Sequence, residues 1–500
     1  MSVENLLGDY ECGRLAVPEF QREYVWKKSK APRLLDSLYR GYPISSILLW
    51  EAADAHVRPR RDNPRAAGAP TVKWLIDGQQ RVMTLHRIRS GEIEVLFNPA
   101  DGGQFSLENA ANRNNPRWIS VRSLWDRDSF RAIVTDHAGA AAEAVERVHK
   151  ILDYRMPFVS MCGHSFRDAV EAFKRINTHG IRLGSDDIQS AEIAAKHTGF
   201  IADKVLPFLR EIHQEGFDRL NIMHLFRICA SVAIPDERAR TPLHAIERKA
   251  MEQAWKKTEK ATRRALGELR KCLGMRNMAV LWTGALLVPP IAILARDGAE
   301  ANCDLSEVIG WMSLAALRHR YTGATDTALR QDLKACRTTD PVGALLRNLR
   351  EAQKHGRLCA SADDFRAGIS DRGVLFAAYV ACHRRGMKSF GGGSVGHQKG
   401  VHRHHILPRR QFDEGSRSRS DIVANIAFVL EEDNLKIGPE PPERYLPRIK
   451  AEVLESQCVP LQQELWKIER AEDFWAARRE LLAAAFNEFV REALPNRNSL

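Results

Sequence analysis

The chain has 500 residues, 44% of them hydrophobic and 28% charged, with a formal net charge of +12 and a pI near 9.3. That is too long for one hydrophobic core and predicts two or three domains of an ordinary globular protein, while the positive excess favours a polyanionic partner, nucleic acid above all. The nine cysteines are scattered with no C-x-x-C pair, which excludes a disulfide framework and a zinc knuckle and fits free thiols in a reducing cytosol.

From the N-terminus, where no basic-then-apolar leader is evident, the first readable segment runs from Val17 to Trp26 and is extended by Pro18. Leu34, Leu35 and Leu38 mark a short helix that Gly41 is placed to end. Ile44 to Trp50 reads as a buried strand, 51–71 as a polar loop, and Val72 to Ile76 as a second strand. That strand runs into Asp77-Gly78-Gln79-Gln80-Arg81, and Val82, Leu85 and Ile88 follow at helical spacing. The pentad therefore lies where a strand meets a helix N-terminus. Free backbone N–H groups and the positive end of the helix dipole converge there and suit a phosphate. The competing reading is a capped helix whose Gln and Arg face water. Phe20, Tyr24 and Trp26 are either core anchors or a lining for a modified base. Strands are expected at 92–98, 118–121 and 154–160, with a helix from 136 to 151, and the first domain closes near residue 195.

Phe20-Gln21-Arg22 with Tyr24-Val25-Trp26, then Gly41-Tyr42-Pro43-Ile44, then Asp77 to Arg81, then Phe173-Lys174-Arg175-Ile176-Asn177-Thr178-His179-Gly180 stand in this order. They resemble the DGQQR domain of modification-dependent restriction proteins, Gmr-type (type IV) and SspE-type. The resemblance implies a ParB/sulfiredoxin-like fold over residues 1–195 that binds or hydrolyses an NTP (GTP or ATP). On that resemblance Asp77, Gly78, Gln79, Gln80 and Arg81 would form the nucleotide site, supported by Arg22 and Asn177; separately from it, the aromatic faces of Phe20, Tyr24 and Trp26 are the candidates for sensing the DNA modification.

Residues 196–390 read as a helical spacer. Within it Lys256 to Arg276 is a basic helix that either follows a DNA backbone or is a solvated face. The apolar stretch from Met278 to Ala295 is broken by Gly284 and Pro289-Pro290, and a buried helix pair is expected rather than a membrane span. Phe390-Gly391-Gly392-Gly393-Ser394 reads as a linker. Beyond it, Val401-His402-Arg403-His404-His405-Ile406-Leu407-Pro408 is a short β-type run ending in adjacent histidines, with Asn425 and Asn434 further on and a basic loop carrying Arg409, Arg410, Arg417 and Arg419 between. In this order one His can bind a divalent cation while its neighbour, facing the other way, takes a proton from water. Ala471 to Leu494 is an amphipathic helix expected to pack back on the body.

The blocks His404-His405-Ile406-Leu407-Pro408, Ala424 to Leu430, and Asn434 to Gly438 look like the HNH (ββα-metal) nuclease domain that ends many restriction proteins. By position, the resemblance makes His405 the general base, His404 and Asn434 the ligands of a Mg²⁺ or Mn²⁺ ion, and Asn425 the residue that holds the loop and orients His405. His404 departs from the pattern, because an acidic ligand is commoner there. The whole reads as an α+β, multidomain chain, with residues 391–500 as the HNH domain. The expected function is an NTP-regulated, modification-dependent DNA endonuclease of bacterial anti-phage defence, cytoplasmic and able to form homo-oligomers. The alternative is a nucleotide-responsive DNA-binding regulator whose HNH domain does not cut.

Overall fold

In the computed structural model the described residues are 1–21, 24, 26–51, 58–60, 63, 73–165, 168–172, 175, 185–234, 245–296, 304–354, 356–395, 401–414, 417–495 and 497. Arg22 and Asn177, with most of the 51–71 loop and of the 173–180 block, lie outside them. The chain divides into two compact units, Met1–Leu206 and Pro207–Leu500, and is mixed α+β.

In the first unit Ser2 caps α1 (Val3–Glu11) through its hydroxyl, and Val3, Leu6, Leu7 and Tyr10 form the buried face of that helix. After β1 (Leu15–Ala16) comes α2 (Lys30–Tyr39), which ends where Gly41 adopts φ +70°. The strands β2 (Ile47–Glu51) and β3 (Lys73–Asp77) pair antiparallel, and α3 (Gln79–Ser90) follows β3 directly. Then come β4 (Val95–Asn98), β5 (Gln104–Leu107), β6 (Ile119–Ser120), α4 (Ala140–His149) and β7 (Phe158–Cys162). The main sheet has the order β1-β3-β2-β7, with β1 parallel to β3 and β7 parallel to β2. A smaller antiparallel sheet, β5-β4-β6, stands apart from it. α1, α2 and the buried face of α3 close one core with Leu49, Leu75 and Phe97 from the strands.

One expectation needs correcting. Ile44 and Ser46 do not extend β2, because the Arg81 guanidinium takes both of their carbonyls and Ser45 turns at φ +70°. Backbone acceptors spent on a side chain cannot enter a ladder.

The second unit begins with helices. α5 (Ile222–Ala233) packs on α6 (Arg248–Leu273), and α7 (Leu305–Leu317) packs on α8 (Arg372–Arg384). α6 contains most of the expected basic helix, and two of its arginines are matched within the chain: Arg263 pairs with Glu211 and Glu259, and Arg270 with Glu215. Those two pairs fit the solvated-face reading. In the apolar stretch Gly284–Leu287 makes a 3-10 turn, and Pro289 and Pro290 occupy the first turn of Val288–Leu294. Among the described residues no helix is long and apolar enough to cross a membrane.

The remainder is a two-stranded antiparallel hairpin, β8 (His402–His405) on β9 (Ile426–Val429), followed by α9 (Glu431–Ile437) and the long α10 (Ala471–Ala493). Two side chains substitute for missing strands. Gln457 accepts from Phe428 N–H and donates to Phe428 O, completing the outer edge of β9. Arg478 of α10, fully buried, donates to the carbonyls of Ala424, Ile426 and Gln457. The glycine segment is no loose linker. Asp433 of α9 accepts from the Ser389 hydroxyl and from Gly391 N–H, and Ser389 N–H bonds back to Gly393 O.

Candidate active site

Side chains alternate faces along a strand, so neighbouring residues of β8 point oppositely. His404 faces inward at 4% exposure, while the His405 side chain keeps 25% of its surface. Expecting the two imidazoles to face different ways from adjacent positions therefore agrees with the hairpin.

His404 Nδ1 lies 2.9 Å from Asn434 Oδ1, supplied by α9. On its other side Nε2 is 3.4 Å from the Tyr445 hydroxyl, which itself donates to Ile406 O at 2.7 Å. Asn434 Oδ1 can only accept, so His404 Nδ1–H donates to it; with a cation bound the ring proton would sit on Nε2, where the Tyr445 oxygen can accept it, and Nδ1 would be bare. Nδ1 and Asn434 Oδ1 then become two converging lone-pair donors. Burial pushes the His404 imidazole down to about 4, so it is neutral, as a metal ligand must be. An octahedral ion with ligands at about 2.1 Å sets neighbouring ligands about 3 Å apart, which this pair matches. The described residues contain no group of three or more His, Cys, Asp or Glu able to hold a metal. A cation here would have only these two neutral protein ligands and would complete its shell from water and substrate oxygens.

His405 Nε2 sits 3.0 Å from Asp421 Oδ1, and Asp421 Oδ2 is 3.5 Å from Arg409. The acid therefore holds the Nε2 proton and leaves Nδ1 as the basic nitrogen. Sequence reasoning missed Asp421. It lies in the loop between the strands, and its only sequence signal is an acidic residue within a run of Arg and Ser.

Asn425 is fully buried and braces both halves of this pair. Its Oδ1 accepts from Leu407 N–H, and its Nδ2 donates to Leu407 O and Ser420 O. Leu407 is two residues beyond His405 and Ser420 immediately precedes Asp421. One amide thus sets the separation of acid and base.

His404, His405 and Asn434 line a single cavity of about 420 Å³ together with Arg403, Arg409 and Arg410. Three guanidinium groups around two imidazoles suit a phosphodiester. Phe390 and Tyr445 pack edge-on against the His404 ring and fix its plane.

In the first unit the pentad does lie at a strand-to-helix turn. Gly78 takes φ +93° and Gln79 opens α3. Arg81 is fixed by the Ile44 and Ser46 carbonyls and is 3.6 Å from Asp77, whose side chain stays 40% exposed. Burial lowers the Arg81 pKa. Gln80 accepts from Trp26 N–H. Phe20 is buried. Tyr24 bonds Thr84 and lies under Arg87, and Trp26 lies under Lys30. Among the described residues two buried acceptors of this region have no hydrogen-bond partner, Gln21 Oε1 and Gln79 Oε1. Gln21 cannot turn to relieve this, since its Nε2 donates to the carbonyls of Leu75 and Ile76 at 2.6 and 2.8 Å. The two orphans flank the end of β3 and require a donor.

Comparison with known proteins adds two findings. An uncharacterised protein of Methanocaldococcus jannaschii is 20% identical over 508 residues, covering 87% of this chain and 84% of that protein. Residues 3–194 match the family described as GmrSD restriction endonuclease, N-terminal domain, so this part of the chain is similar to the N-terminal domain of a restriction endonuclease.

Proposed function

We propose that this chain is an NTP-regulated, modification-dependent DNA endonuclease of bacterial defence whose cutting site is the HNH-like cavity on β8, β9 and α9. The observation that carries the reading is the meeting of two pairs, His405 with Asp421 and His404 with Asn434, in one arginine-lined cavity. His405 Nδ1 takes a proton from water while Asp421 steadies the imidazolium that forms. The hydroxide so produced attacks phosphorus, and Arg403, Arg409 and Arg410 hold the phosphate. When bound at His404 and Asn434, a Mg²⁺ or Mn²⁺ ion would supply charge neutralisation for the phosphate and the departing oxygen.

The nucleotide part of the proposal rests on the strand-to-helix turn at Gly78 and on the unpaired acceptors of Gln21 and Gln79. A base or ribose carries the donors these oxygens lack, whereas inorganic phosphate at neutral pH offers few. Asp77, Gly78, Gln79 and Gln80 belong to this site. Arg81 shapes it by holding the 44–46 turn, and Arg22 and Asn177 enter through the family resemblance. Phe20, Tyr24 and Trp26 border the same region and are proposed to sense the modification.

The test compares wild type with His405→Ala on supercoiled plasmid, modified and unmodified, with Mg²⁺ or Mn²⁺ and with or without GTP or ATP. The reading expects wild type alone to nick or linearise the modified plasmid, in a nucleotide-dependent way. If both proteins bind DNA and neither cuts with any metal, the chain is a nucleotide-responsive regulator and the nuclease reading is wrong.

A further inference from the structure

Leu435 is 72% exposed, the most exposed of the large apolar side chains among the described residues. It follows Asn434 directly on α9 and lines the same cavity as His404, His405, Arg403, Arg409 and Arg410. Scattered surface leucines are ordinary, but this one stands among guanidinium groups at the mouth of a phosphate site. Among the described residues it is left largely uncovered. The Arg409 side chain beside the cavity is itself 54% exposed, so the cationic rim is equally open. Glu431 and Glu432 lie at the opposite end of α9 and do not line the cavity. Glu431 is drawn instead towards His402, at 3.9 Å.

We infer that Leu435 is a wedge that enters the minor groove of duplex DNA beside the phosphate to be cut. The occupant of this surface has to be anionic for the arginines and offer an apolar face to Leu435. Duplex DNA supplies both: phosphates along the rim, and a groove walled by deoxyribose carbons, the narrow one being also the more negative. Leu435 has no hydrogen-bonding group and cannot read base edges. It acts by shape, parting a base step and turning the neighbouring strand so that its phosphate reaches His405. Steps that unstack easily, such as TA and CA, are then preferred sites of cutting. The inference rests on the proposed nuclease reading of this cavity.

The test uses the full chain in a His405→Ala background, so that DNA binds without being cut. A 30-base-pair duplex and the matching single strand are titrated by fluorescence anisotropy, and 2-aminopurine is placed at successive steps of the duplex. Leu435→Gln, at so exposed a position, leaves the fold intact; its melting curve checks this. The expected result is roughly tenfold weaker duplex binding, of the order that one buried leucine supplies. Single-strand binding is unchanged, and the 2-aminopurine signal is lost. Leu435→Met keeps both. The salt dependence of binding keeps its slope in Leu435→Gln, whereas Arg410→Gln lowers that slope by about one. Duplex binding and 2-aminopurine signals equal in the parent and Leu435→Gln overturn this inference alone. A parent that binds no DNA overturns it together with the nuclease reading.

Discussion

Replacing Asp421 with Asn keeps the shape of the loop and removes one charge, which isolates what the acid does for His405. The two side chains are 3.0 Å apart and each is 25% exposed. A hydrogen bond to a charged group contributes about 1.5–3 kcal/mol and a neutral one about 0.5–1.5. The difference is about 1 kcal/mol once partial exposure to solvent is allowed for. That loss falls on the imidazolium formed as water is deprotonated, so the cutting step slows by about fivefold to tenfold. The loss becomes larger if the amide turns its Nδ2 towards His405, because the proton then sits on Nδ1 and no lone pair faces water; such a wrong tautomer costs up to about 10⁴. The assay is single-turnover nicking of supercoiled plasmid at saturating protein and Mn²⁺, with melting curves to verify the fold. A cutting rate for Asp421→Asn within twofold of wild type, with His405→Ala inactive, would refute the argument that Asp421 orients the base.

Asn425→Ala strands Leu407 N–H and two carbonyls in the core, and is expected to lower stability by about 3–5 kcal/mol, read from urea unfolding, and to abolish cutting. Arg478→Met leaves the carbonyls of Ala424, Ile426 and Gln457 without donors. A loss of about 3 kcal/mol or more is expected, with faster hydrogen exchange along β9 as its local signature. Burial pushes the His224 imidazole down to about 4. Above its unfolded value near 6.5 both states are neutral and nothing changes. As pH falls from about 6.5 towards 4 the unfolded chain binds a proton that the folded one refuses, so stability drops by at most about 3 kcal/mol. His224→Gln, which can still accept from Asn221 N–H in the capping box, should flatten that decline in urea titrations at pH 5 and 7.5; an unchanged slope would discount His224 as the cause.

Much of the site was legible because it depends on local rules. Strand alternation separates His404 from His405, and a strand running into Gly78 and an apolar helical stripe places the pentad at a helix start. What was not legible depends on long-range pairing. Nothing near Arg81 in the sequence announces that the carbonyls of Ile44 and Ser46 will occupy it, so an anion clamp and a structural brace look the same. Asp421 becomes part of the site only when Asn425 ties Leu407 to Ser420. Glycine density suggested a linker at 390–394, since backbone freedom is the only property composition reports there. The deciding feature is Asp433, some forty residues on, which captures Ser389 and Gly391.

That capture bears on how the proposed nuclease can be handled as a part. Asp433 adjoins Asn434, so the residues before the hairpin help hold a candidate metal ligand in place. Lys388 O is in turn bonded by Gln457, the same amide that completes the edge of β9. A fragment beginning at the glycines would leave Asp433 without the Ser389 hydroxyl and the outer strand with a looser edge. The proposed cutting module is therefore tied to the turn that precedes it, and recombination that moves it to another protein has to carry that turn along.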